Sequence, residues 1–246
     1  MKAIILGHAT AEDKSLFDVR YFYRIDNDTW RPTCGLALKT LVAVHRRHDD
    51  STIQDIGAWY QAVSNSPNVT VLGFLVERVC LDAIQRGALK VVDKRLGQSL
   101  KRYTFQGTPS VETLIADKQP HCLYVPSHFN FPNIDAAAIW LDHKEQKAHV
   151  YPIQVSVART HQDSERCFYQ SQWQNWKVEF PDEYDVSSTF LWVGMKPASN
   201  EDKWMVTRST RSRPVVVDDR TSRRISIEEV DSTLYSYVKK RLLSWN

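Results

Sequence analysis

The chain lacks the signals by which several large protein classes declare themselves. Its four cysteines, Cys34, Cys80, Cys122 and Cys167, are far apart and form no CxxC pair, so spacing offers neither a zinc knuckle nor a redox dithiol. They are expected to be reduced thiols, three of them in the core. Glycine is scarce, with eight scattered residues in 246. No GxxxxGKS/T loop occurs among them, and ATP hydrolysis by this chain is not expected. Histidine offers no zinc template either: His45 and His48 could share a helix face, and His121, His128, His143 and His149 fall near strand ends, at no ligand spacing. The apolar run within Met1–Gly7 is too short for a leader core or a membrane span, so neither secretion by a leader nor membrane insertion is expected. Repeats and low-complexity linkers are missing too, which favours one compact unit over two domains.

What is present is an ordinary soluble composition. The 42% hydrophobic and 25% charged fractions are those of a globular chain long enough to bury a substantial core, and eight tryptophans make it rich in large aromatics. The net charge of +3 is compatible with nucleic acid without requiring it. Its distribution says more. Arg208, Arg211, Arg213, Arg220, Arg223 and Arg224 crowd one stretch, and Lys239-Lys240-Arg241 follows. Such a run reads as a solvated basic face, or as a phosphate or nuclear-import surface if a nucleic-acid site lies elsewhere in the chain.

Periodicity predicts an α/β order. Strand Ala3–Leu6, an aromatic stretch Phe17–Arg24 and helix Leu36–His48 open the chain. Ser51 with Gln54 suggests a capped helix to about Val63. Ser66-Pro67 opens another helix, which runs to about Gln85 and is closed by Gly87. Leu72, Phe74, Leu75, Val76, Val79, Cys80, Leu81, Ala83 and Ile84 cover most of its circumference, the mark of a helix buried on most sides. Glu77 in its middle must find a cation, take up a proton or face a cleft. Lys90–Lys118 has mixed polarity and is expected to be a connection with a short strand or helix. Strands Cys122–Pro126, Ile134–Asp142 and His149–Ala158 follow, then a helix from about Ser164 to Lys177, strand Thr189–Val193, strand Val215–Val217 and a final helix from Ser226, boxed by Glu229. One domain is expected, with an N-terminal extension over about 1–65, a core over about 66–195 and a basic C-terminal strand and helix over about 196–246.

The chemistry concentrates on two of these strands. Asp135 opens one, and Gln154-Val155-Ser156 lies in the next; the two-residue strand period puts Gln154 and Ser156 on one face, with Tyr151, Ile153, Val155 and Val157 on the other. An acid on one strand and a polar-x-polar pair on its neighbour is the layout of PD-(D/E)xK nuclease cores. Phosphodiester hydrolysis of that kind needs hard oxygen ligands for Mg²⁺ or Mn²⁺ and open positions for water and phosphate. Asp135 supplies a carboxylate, Gln154 a neutral amide oxygen, Val155 a backbone carbonyl and Glu77 a second carboxylate. Ser156 stands where a cation is usual. Three responses stay open: a cation from Arg159, Arg166 or Lys177, help from His161 as a proton acceptor, or loss of hydrolysis with binding retained. Trp173 and Trp176, three apart, are core residues or stacking platforms.

Asn133-Ile134-Asp135, together with Gln154-Val155-Ser156-Val157-Ala158 and the following His161, resembles the nuclease-like domain of Crinkler effectors and retrotransposon hot spot proteins. Upstream, Ala9-Thr10-Ala11-Glu12-Asp13-Lys14 and Asp18-Val19-Arg20-Tyr21-Phe22-Tyr23 are similar to segments of the same proteins. The resemblance implies a restriction-endonuclease-like fold (helix, three-strand meander, helix, strand), action on DNA or RNA, and for the Crinkler group delivery to a host nucleus. It implies Glu77 as the acid of the first helix, Asp135 as the central acid, Gln154 as the second metal ligand and His161 as the trailing histidine. Family members often join such a domain to a P-loop ATPase, so this chain would be a stand-alone or excised C-terminal module. The expectation is therefore a metal-dependent nuclease in which Glu77, Asp135, Gln154 and Val155 hold the ion, Ser156 and His161 complete the catalytic set, and Arg159, Arg166, Arg208, Arg211 and Arg213 contact nucleic acid. The alternative is a catalytically inert module of the same fold that binds nucleic acid or a host nuclear protein.

Overall fold

A computed structural model of the chain describes residues 22–24, 30–32, 55–126, 131–157, 164–195 and 220–245. The expected strands Ala3–Leu6 and Val215–Val217 and the helix Leu36–His48 lie outside them. The chain divides into two compact units, one of Met1–Val79 with Thr233–Asn246 and one of Cys80–Ser232.

In the first unit, β1 (Phe22–Arg24) pairs antiparallel with β2 (Trp30–Pro32). Helix α1 (Ile56–Ser64) starts one turn later than the Ser51 pattern suggests, because Asp55 is its cap and accepts the Ala58 amide at 3.0 Å. Helix α2 (Val69–Gln85) carries the chain from the first unit into the second. Asn68 rather than Ser66 begins it, accepting the Val71 amide at 2.9 Å. All nine apolar positions read from the sequence are buried, and so are Arg78 and Asp82. Glu77 is half-buried. The buried acid of this helix is Asp82, one turn on, whose carboxylate meets Arg86 at 2.8 Å.

Gly87 ends α2 at φ 97, the left-handed region that glycine enters without strain. A Cβ there would meet the Gly97 backbone at 2.8 Å, so the close approach excludes any side chain as well.

The second unit is built on a mixed six-stranded sheet: β3 (Lys101–Phe105), β4 (His121–Pro126), β5 (Ala136–Asp142), β6 (Lys147–Ser156), β7 (Asp185–Gly194) and β8 (Arg220–Ser226), lying side by side in chain order. Pairs β4–β5 and β5–β6 are antiparallel; β3–β4, β6–β7 and β7–β8 are parallel. The short β5–β6 connection suits a hairpin, with Asp142 Oδ1 accepting the Lys144 and Glu145 amides at 2.9 and 3.0 Å. The parallel pairs need crossovers. Helix α3 (Glu112–Ala116) lies in the first, and α4 (Ser164–Ser171) with α5 (Trp173–Lys177) in the second.

Central position explains the strand sequences. Ala136, Ala137, Ala138 and Ile139 of β5 are all buried, as expected of a strand covered on both faces. Pro152 in β6 has no N–H to give, and the β6–β7 ladder is interrupted there, resuming at Ile153 with Leu191. One face of the sheet carries the aromatic core, in which Phe105, Phe168, Trp176 and Phe190 pack with Val150 and Ile139. Trp173 and Trp176 are 3% and 0% exposed, which makes them core residues and not stacking platforms. The single helix expected over Ser164–Lys177 is broken at Gln172, whose side chain donates to the Pro132 carbonyl at 3.0 Å.

The Ser226–Glu229 capping box forms as the sequence suggests, in α6 (Ile227–Val230). Asp231 is extended and separates it from α7 (Ser232–Leu243). The final helix is therefore two. Cys80 and Cys122 are buried thiols and Cys167 is half-buried; burial pushes the Cys122 thiol far up.

Candidate functional site

Asp135 is placed by backbone conformation before it is placed by chemistry. Asn133 sits at φ 73, a left-handed conformation that asparagine tolerates better than most residues, and from there the chain turns into β5. The Asp135 amide donates to the Ile153 carbonyl at 2.8 Å, while Ala136 pairs with Ile153. Asp135 thus stands directly beside Gln154.

The two side chains meet. Gln154 Nε2 donates to Asp135 Oδ2 at 2.7 Å, and the Val155 amide donates to the same oxygen at 2.7 Å. Both residues flanking this contact are half-buried, as is Ser156. A carboxylate oxygen that accepts two N–H groups is held in position more firmly than one bonded only to water. The amide nitrogen, not the amide oxygen, faces the carboxylate. That orientation is the favourable one for a neutral amide next to an anion; with a cation between them the amide would turn its oxygen inward.

Strand register extends the site sideways. Gln154 lies beside Trp192 of β7, and Trp192 beside Arg224 of β8. Partners in adjacent strands share a face, so Asp135, Gln154, Trp192 and Arg224 form a row across four strands. Helix α4 reaches the row at Trp192, whose indole N–H donates to Glu165 Oε2 at 3.2 Å. Burial pulls the Arg224 guanidinium below its ordinary pKa, and the charge of Glu165 pushes back. Arg166 on the same helix is half-buried.

The opposite face carries a second polar network, unanticipated from periodicity or motif. Tyr151 Oη donates to Asp93 Oδ2 at 2.6 Å, and Arg95 Nε bonds the same carboxylate at 2.9 Å. Burial would raise the Asp93 pKa, but these bonds hold it at about 2. Arg95 also stacks on Trp140 at 3.6 Å. His149 lies over Tyr151, its ring nitrogens 2.7 Å from Ser187 Oγ and 2.8 Å from Thr189 Oγ1. Burial, then the Arg95 charge, lowers its pKa to about 4.

The structure thus brings together Asp135, Gln154, Val155 and Ser156. Glu77 belongs to the first unit. His161, Arg159, Arg208, Arg211 and Arg213 lie outside the described residues. Among the described residues, no three His, Cys, Asp or Glu side chains are grouped to hold a metal. The donors at Asp135 and Gln154 nevertheless suit magnesium, which is commonly held by one or two carboxylates and keeps waters and substrate phosphates for its remaining positions. Arg224 and Glu165 join the site only through register and crossover; in the sequence Arg224 is one of many tail arginines.

No family model, curated protein or solved structure matches the chain. The fold class is therefore carried by the structure itself: an α/β protein with a mixed six-stranded sheet and helices. No described helix is long and apolar enough to cross a membrane.

Proposed function

We propose that the sheet unit is a metal-dependent nucleic-acid phosphodiesterase of the PD-(D/E)xK type, consistent with a Crinkler-like nuclease module acting in a nucleus. The observation that carries the reading is the contact of Asp135 with Gln154 and the Val155 amide at the paired starts and ends of neighbouring strands. The succession of meander, helix and further parallel strand supports it, since β4, β5 and β6 are followed by α4–α5 and β7. Mg²⁺ or Mn²⁺, when bound, would polarise the phosphate and lower the pKa of a water.

The chain's own residues would do the following. Asp135 would supply the anionic ligand, its Oδ2 kept in place by the Val155 N–H, and Gln154 would supply a neutral amide oxygen. Ser156, on the same face two residues on, is neutral and offers a hydroxyl to water or phosphate. Nuclear action and attachment to an ATPase domain belong to the same proposal and rest on the resemblance alone.

The same contact supports a second reading. The Asp135 oxygen already accepts two N–H groups at 2.7 Å, which keeps the pair satisfied without an ion, as an inert module that binds nucleic acid or a nuclear protein would require.

Plasmid, single-stranded DNA and RNA incubated with Mg²⁺, Mn²⁺ or EDTA separate the two. Cleavage that needs the metal and is abolished in Asp135→Asn supports the enzyme; a folded wild-type protein that cleaves none of them supports the inert module.

A further inference from the structure

The row across β5 to β8 answers the question that Ser156 raises. A site with one carboxylate and one neutral amide can hold a divalent ion, yet it offers the scissile phosphate no side-chain cation at the Ser156 position. We propose that Arg224 is the phosphate-binding cation of this site, standing two strands from Gln154 instead of two residues along β6. The inference rests on the nuclease reading for the identity of the anion.

Three observations support it. First, register fixes the face: Gln154 pairs with Trp192 and Trp192 with Arg224. Neighbouring strands are about 4.8 Å apart, so the Gln154 and Arg224 backbones are roughly 10 Å apart. Gln154 and Arg224 therefore flank Trp192 on one face of the sheet.

Second, Arg224 is half-buried on the face where the Trp192 indole meets Glu165 at 3.2 Å. A guanidinium positioned in this way is organised before an anion arrives, and its planar fork suits phosphate oxygens.

Third, the neighbouring arginine has a different task. Arg223 projects to the other face and donates to the Val91 and Val92 carbonyls at 2.8 and 3.2 Å. It therefore ties β8 to a turn of the backbone. The two arginines are adjacent in sequence and equal in charge, which makes one the control for the other.

The test measures binding of fluorescent single-stranded and duplex oligonucleotides across a salt series, with cleavage blocked by EDTA. It compares wild type, Arg224→Gln, Arg224→Lys and Arg223→Gln, with circular dichroism confirming folding. Arg224→Gln is expected to bind about tenfold more weakly, and the slope of log affinity against log salt is expected to shrink by about 0.7–0.9, one phosphate contact. Arg223→Gln should keep the wild-type slope. Unchanged affinity and slope in Arg224→Gln, or an equal loss of slope in Arg223→Gln, overturns the assignment.

Should Arg224→Gln fail to fold, Arg224→Lys decides. It keeps the charge and loses the fork, so affinity should fall a few-fold with the slope preserved, and wild-type affinity would refute the inference. The two proposals fail separately. Binding that depends on Arg224 without metal-dependent cleavage removes the enzyme and leaves the phosphate site. Cleavage untouched by Arg224→Gln does the reverse, and a wild type that binds no oligonucleotide in EDTA removes the Arg224 assignment and leaves the enzyme to the cleavage assay.

Discussion

Replacing Asp135 by alanine in the absence of metal should cost stability, and the structure sets the amount. Its Oδ2 accepts the Gln154 amide and the Val155 backbone N–H, each at 2.7 Å. A hydrogen bond to a charged group contributes about 1.5–3 kcal/mol net when buried. Asp135 is half-buried, so water recovers part of each donor, and the expected loss is about 2–4 kcal/mol in total. That is smaller than the roughly 5–15 kcal/mol of an ordinary domain, and the variant should fold. With m of about 2–3 kcal/mol per M in urea, the midpoint should drop by roughly 1 M. Hydrogen exchange gives a local check, because the Val155 amide should lose protection while the amides of β4 keep theirs. Asp135→Asn retains one acceptor oxygen and should lose about half as much. A variant within about 0.5 kcal/mol of wild type, with Val155 still protected, would refute the claim that this carboxylate organises the strand pair, since that is the range of an ordinary surface substitution.

Two further outcomes follow from the same two faces of the sheet. Gln154→Glu would set two carboxylates where a 2.7 Å hydrogen bond now lies; in EDTA it should melt lower than wild type, and Mn²⁺ should raise its melting temperature by more than it raises that of wild type. A melting temperature indifferent to EDTA and Mn²⁺ would count against a metal at this pair. On the other face, His149 is depressed from 6.5 to about 4, so the folded state takes up fewer protons than the unfolded one and its contribution is complete above the unfolded value. It is lost as pH falls from about 6.5 to about 4, by about 1–2 kcal/mol once solvent screening of a partly exposed ring is allowed for. The groups around it, Arg95, Asp93, Tyr151, Ser187 and Thr189, remain in His149→Gln, whose urea midpoint should fall less than that of wild type between pH 7 and 4.5. Parallel pH profiles for the two proteins would show that the ring titrates normally.

Local rules were enough to read some features from the residues alone. The buried circumference of α2, its stop at Gly87, the Ser226–Glu229 box and the alternation that gives Gln154 and Ser156 one face each follow from interactions spanning a few residues, whether helical period, capping geometry or strand pleat. The Asp135–Gln154 pair was legible for a similar reason, since a short hairpin between β5 and β6 leaves few registers that keep Ala136 to Ile139 buried. Other features depended on neighbours remote in the chain. Gln172 breaks the α4–α5 helix to reach Pro132; Asp93 is paired with Tyr151, 58 positions on; and the orientation of the Gln154 amide is settled by the charge it meets. Arg224 shows the limit most clearly. Strand periodicity separates it from Arg223, but only the parallel alignment of β8 with β7, and of β7 with β6, puts it in line with Gln154. A strand's sequence fixes which residues share its face, whereas the strand that lies alongside is chosen by crossovers and core packing over the whole sheet.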